Sequence, residues 1–250
     1  MRPTLVVDKP KEITVPISLT AARTFVEEEG GKDTDPDPVL EQLAQVAGSI
    51  TATAEKVKDT VTKVLDNRMA TELKNVADAK NAASRIFRNV APKLDGASRD
   101  VERAIEHLEN GVALPAPKDA VGAAYAAEVR AALSRMPEEQ RAKAVRHAIR
   151  DGEDQFVAAA VLGNVALSGL GPAERNALAD EWKQARHGPT LQRIERLRAA
   201  ANQFDRMCAL LSGWSMSLFE DQNAAIAAAE KSAELAKAAL ANVDARADVA

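Results

Sequence analysis

Two stretches of this chain carry the same apolar seam over nearly the same length. In the first, Val39, Leu43, Val46, Ile50, Thr53, Val57, Thr60 and Val64 step by four and three. After a slip of phase near Asn67 the stepping resumes from Met69 to Val90. In the second, the alternation runs unbroken from Thr190 through Ile194, Leu197, Phe204 and Leu211 to Val243. Such stepping is a heptad seam. At 1.5 Å per residue a continuous helix over 38–91 would be about 80 Å long. An apolar stripe of that length cannot stay in water and must be covered by another helix. The expected fold is therefore all-α: an elongated antiparallel helical hairpin or coiled coil. The long helix of the stalk occupies 38–96, an inserted small helical bundle 97–188, and the returning C-terminal helix 189–250. Residues 1–37 form an extended N-terminal arm.

Local signals mark the ends of these elements. Asp37 followed by Pro38 joins a capping carboxylate to a first-turn proline that has no N–H to satisfy. The first long helix is expected to end or kink just before Pro92. Between the stalk helices, Ala97–Glu109 is amphipathic, the linker GVALPAPK is irregular, and helices follow over 118–136 and 137–150. Asp151–Gly152 breaks the second of these, and a helix over 173–187 comes next. Residues Phe156 to Ala173 are uncharged over a length approaching a membrane span, but Gly163, Asn164, Gly169, Gly171 and Pro172 interrupt them. A buried helix over 153–167, followed by a turn, is expected there rather than a span.

The N-terminal arm reads differently. Ile13, Val15, Ile17 and Leu19 alternate with polar residues, a period of two that favours a strand, and Pro16 confines that strand to an edge. Leu5 to Val7 would pair with it, and Thr20–Glu29 would form a short helix stopped by Gly30. Ile13, Val15 and Ile17 are the candidate assembly residues, since a two-stranded piece is marginal alone and would tie the chain to a neighbour. No secretory leader is legible, because Asp8 and Lys9 follow the short apolar run at once. The expected location is the cytoplasm, or a particle assembled there.

Composition narrows the chemistry. Aromatic residues are 3% of the 250, so the core must be built from Ala, Leu and Val. A net charge of −4 argues against a wholly basic nucleic-acid coat. The single cysteine, Cys208, and three scattered histidines exclude an internal disulfide and any zinc site built mainly of Cys and His. Cys208 falls on the seam, where a small buried side chain is its expected role. No catalytic constellation, metal motif or cofactor fingerprint is present. Gly169–Leu170–Gly171 precedes a helix but lacks the strand and third glycine of a dinucleotide site.

Two basic runs remain as candidate sites. Residues 135–150 carry five basic against two acidic side chains, a net +3, and 183–206 carry six against two, a net +4. If the fold brings them together, Arg141, Lys143, Arg146, Arg150, Arg193 and Arg196 would bind phosphates of a nucleic acid or another anion. The absence of interleaved aromatic residues favours a solvated face or an acidic partner instead.

The segment FVAAAVLGNVALSGLGPAERNALADEWKQARHGPTLQRIERL, residues 156–197, resembles helical proteins of unassigned function encoded by bacteriophages and prophages. The shared features are the apolar helix, the turn Leu167 to Leu170, an acid-containing helix, and His187 before a proline and a basic helix. The resemblance implies a virion or assembly component and no particular residue roles. The expected function is thus a non-enzymatic structural subunit without cofactor or metal, with copies of itself or other virion proteins as partners. The alternative is an anion- or nucleic-acid-binding adaptor.

Overall fold

The computed structural model describes residues 13–31, 37–163 and 165–224, and most residues from 226 to 238. It is all-helical, with no strand among the described residues. The helices are α1 (Ile17–Gly31), α2 (Pro38–Leu65), α3 (Glu72–Gly111), α4 (Ala120–Arg135), α5 (Glu138–Asp151), α6 (Asp154–Val161), α7 (Val165–Ser168) and α8 (Pro172–Ser217). A turn over 218–222 precedes further helical residues from 223 on. The chain divides into two compact units, one made of 1–102 with 199–250 and the other of 103–198. Each is described by itself.

The first unit begins with a correction. Residues 17–19 are helical, not strand, and 13–16 have no regular structure. Leu19, Ala22 and Val26 step by three and four and are buried in α1, which packs against α2. That helical stripe offers more burial than an isolated two-stranded edge, so packing overrides the alternation at 13–19. The proposed pairing partner, Leu5 to Val7, lies outside the described residues.

The expected continuous helix over 38–91 is also corrected. Asp37 caps α2, its carboxylate accepting from the Val39 N–H at 3.0 Å. The helix then stops at Leu65, and residues 66–71 turn the chain back. The Asn75 side chain braces this turn by donating to the Asn67 carbonyl at 2.6 Å. The slip of phase near Asn67 is thus a reversal rather than a local unwinding of one coil. Val57 and Val61 of α2 share a core with Val76, Ala79 and Ala83 of α3, and near the other ends Gln42 meets Asp100. α2 and α3 are therefore antiparallel neighbours.

Pro92 does not end a helix, because α3 runs through it to Gly111. Pro92 and Arg88 are both exposed, so water reaches the Arg88 carbonyl that has no proline N–H to accept. Along its other side α3 meets the C-terminal part of the chain in antiparallel register. Ser98 pairs with Asp205, the Phe87 ring stands edge-on to Trp214 at 6.4 Å, and Lys80 donates to Asn223 at 2.9 Å.

The second unit packs α4 against α6 and α7, and α5 against α6. Its core joins Leu133, Val145, Val157, Leu170, Leu178 and Trp182 with several alanines. The apolar run at 156–173 is two short helices rather than one helix to Leu167, α6 ending at Val161. No described helix is long and apolar enough to cross a membrane. α8 bends at His187, whose backbone leaves helical geometry just before Gly188 and Pro189.

Candidate interaction surfaces

The basic residues of α5 divide into two roles. Arg141 is used inside the fold. Its Nε donates to the Leu133 and Met136 carbonyls at 3.1 Å, closing the end of α4, and its Nη1 donates to the Gly169 carbonyl at 2.8 Å. Gly169 sits at φ 68°, a left-handed conformation that favours glycine, and a Cβ there would displace the Arg141 guanidinium, whose Nη1 would lie 2.7 Å away. Lys143, Arg146 and Arg150 recur at three- and four-residue spacing and lie exposed on one face. With Ile149 and Glu181 they line a shallow depression. Arg146 is held there by both Glu181 oxygens, at 2.9 Å and 3.0 Å. The Glu181 hydrogen bonds and its charge push the Arg146 pKa above its ordinary value. Lys143 and Arg150 remain as the outward charges of this face.

The second basic run meets the first at its start, where Arg186 Nη2 donates to the Ile149 carbonyl beside Arg150; its later arginines are used elsewhere. Arg193 and Arg196 are half-buried on α8 and each is engaged within the chain. Arg198 pairs with Glu109 of α3. Seventeen residues separate Arg198 from Glu181, the α8 contact of Arg146.

The candidate assembly residues are also divided. Ile13 packs on the core of the first unit, and the Thr14 carbonyl beside it accepts from Trp214 Nε1–H at 3.0 Å. Val15 is half-buried, while Ile17 is 87% exposed. The described part of the arm thus lies against its own chain.

An open groove of about 910 Å³ runs between α3 and the end of α8. Ala83, Phe87, Met216 and Phe219 give it an apolar floor, with Lys80 and Glu220 at its edges. Met216 is 68% exposed there. The heptad stepping placed apolar residues along both helices but could not show that this stretch would stay uncovered.

Elsewhere, Cys208 is half-buried, and burial, reinforced by Asp205 and Asp95, pushes its thiol up to about 11. At neutral pH it is protonated and a poor nucleophile. His107 and His147 are exposed on α3 and α5, and His187 stands edge-on to Trp182 at 5.2 Å. Among the described residues no group of three His, Cys, Asp or Glu side chains converges on one point that would suit a metal ion.

Asp154, at the start of α6, gathers Trp182 Nε1–H and Arg186 Nε–H, both at 2.8 Å. Burial raises its pKa, but the hydrogen bonds from Arg186 and Trp182 and the charges of Arg186 and His187 outweigh that. Together they hold the carboxyl below its ordinary 3.8.

Two arginines that no sequence motif marks, Arg130 of α4 and Arg175 of α8, converge on the end of α6. Arg130 Nη1 donates to the Ala159 carbonyl at 3.3 Å. Arg175 Nη1 donates to the Val161 carbonyl at 3.3 Å and also to that of Gly163. A Cβ on Gly163 would lie 2.5 Å from Arg130 Cδ. The carbonyls freed where the apolar run breaks at 162–163 thus find guanidinium donors.

Comparison with known proteins finds no family model, no curated relative and no solved structure that matches this chain.

Proposed function

We propose that this protein is a non-enzymatic structural or assembly subunit that works as one copy in an oligomer, most simply as a component of a phage particle. The observation that carries the reading is the groove between α3 and the end of α8. Its apolar floor is long, open and already framed by two antiparallel helices. A helix face from a second copy would bury Met216 and Phe87 and gain roughly 25 cal/mol per Å² of apolar surface. The buried seam of α3, with Ala79, Ala83 and Ala97, points the same way. Small side chains bury little area per turn, so the helices gain from company. The phage assignment rests on the resemblance of residues 156–197. Sedimentation equilibrium across a range of concentrations tests the oligomer: a mass at a multiple of 26.7 kDa supports it, and a monomer throughout opposes it.

A second reading has its own observation. Lys143, Arg146 and Arg150 share one face of α5, which suits docking to phosphates or an acidic surface. On this reading, duplex DNA binding weakens steeply with salt, and replacing Lys143 and Arg150 by alanine reduces both the affinity and the salt slope. Equal retention of the double variant on DNA would remove this reading.

A further inference from the structure

Arg130 and Arg175 each commit only Nη1 to the backbone around the end of α6. Among the described residues, the Nε of each is buried and makes no hydrogen bond. Among the described residues, neither guanidinium is paired with a carboxylate. Glu174, the acid adjacent to Arg175 in sequence, acts on Arg146 instead. Arg175 Nη1 donates to the Gly163 carbonyl, and Arg130 Nη1 lies 3.3 Å from where a Gly163 Cβ would be. Two like charges thus flank one residue, with donors left over on both. Unsatisfied buried donors and uncompensated charge are both costly.

The Gly169–Leu170–Gly171 turn is not the source of an anion site, since the Gly169 carbonyl presents an acceptor and Arg141 already fills it. The unused donors lie at the other end of the loop. Leu162 is 50% exposed and Gly163 partly so, which leaves that end open to solvent.

We propose that Arg130 and Arg175 form a binding site for a small phosphate-class oxyanion beside Gly163. The planar fork of each guanidinium matches an oxyanion edge, and a doubly charged anion cancels the repulsion between them. The site is separate from the exposed charges of α5 and does not depend on the assembly reading.

Inorganic phosphate, titrated into the full chain against chloride at matched ionic strength, tests the site through calorimetry and thermal melting. Saturable binding with a rise in Tm is expected. Arg130→Lys and Arg175→Lys keep the charge but lose the fork, so each should weaken phosphate binding about tenfold or more, the worth of one charged hydrogen bond. Melting without phosphate shows which variants fold, and either one suffices. Replacing both Lys143 and Arg150 by alanine should leave phosphate binding unchanged. No saturable binding to the wild-type chain overturns the proposal. So does undiminished binding in a folded lysine variant, or binding abolished by the Lys143 and Arg150 replacements.

Discussion

Asp154 ties three elements of the second unit together through a single carboxylate. It accepts from Trp182 and Arg186, and Arg186 in turn donates through Nη2 to the Ile149 carbonyl at 2.9 Å. The folded-state pKa lies below the ordinary value of 3.8, so the carboxylate's stabilisation is complete above that value. It is lost as pH falls through the folded pKa. Asp154→Asn keeps the acceptor oxygen and removes the charge, so it should cost about 1 kcal/mol at neutral pH. The gap to wild type should close as pH drops below about 4. Melting curves at several pH values check this, and a gap that stayed constant to acid pH would contradict it. Cys208 gives a second expectation. With its thiol pushed up to about 11, alkylation of the folded chain at pH 8 should be far slower than that of the unfolded chain. Comparable rates would show that the thiol is neither buried nor electrostatically suppressed. The sequence placed Cys208 on the seam as a buried residue, but the structure leaves it half-buried and buries Met207 instead. The sequence offered no sign of Arg130 and Arg175, because their roles come from carbonyls that only the broken α6–α7 segment exposes.

At the scale of the element, local chemistry was readable where a single residue decides the outcome and unreadable where packing does. Asp37–Pro38 starts α2 as its capping chemistry requires. Pro92 would break an isolated helix, yet α3 passes through it, since Ala79, Ala83, Ala97 and Val101 are buried on either side of it. The burial of those turns outweighs a local penalty of about 3 kcal/mol. Pro92→Ala should therefore stabilise the chain by about 1–2 kcal/mol, after the greater freedom of the unfolded alanine variant is subtracted. Chemical denaturation measures the change, and a loss of stability would mean that the proline relieves something α3 needs. The N-terminal arm shows the opposite ambiguity. Ile13 to Leu19 carry a period of two, and Leu19, Ala22 and Val26 carry a helical one. Only the presence of α2 beside them decides between the two.

For the whole molecule, the matching seams correctly implied an all-helical chain. They misassigned the pairs. The chain reverses at 66–71, so α2 and α3 are neighbours, and the C-terminal part of α8 runs beside α3 rather than beside a single rod over 38–91. A heptad seam specifies that a partner exists but not which helix provides it. The same limit applies to the groove between α3 and the end of α8, whose apolar floor is open among the described residues. As proposed above, a second copy closes it. Light scattering on the wild-type chain and on Met216→Asp, side by side at equal concentration, tests this most directly. Met216 is 68% exposed, so the charge is tolerated in one chain and would be buried only at a subunit contact. The expected result is a wild-type mass at a multiple of 26.7 kDa that falls to 26.7 kDa in the variant. Identical masses for the two proteins, whether both monomeric or both assembled, would contradict it.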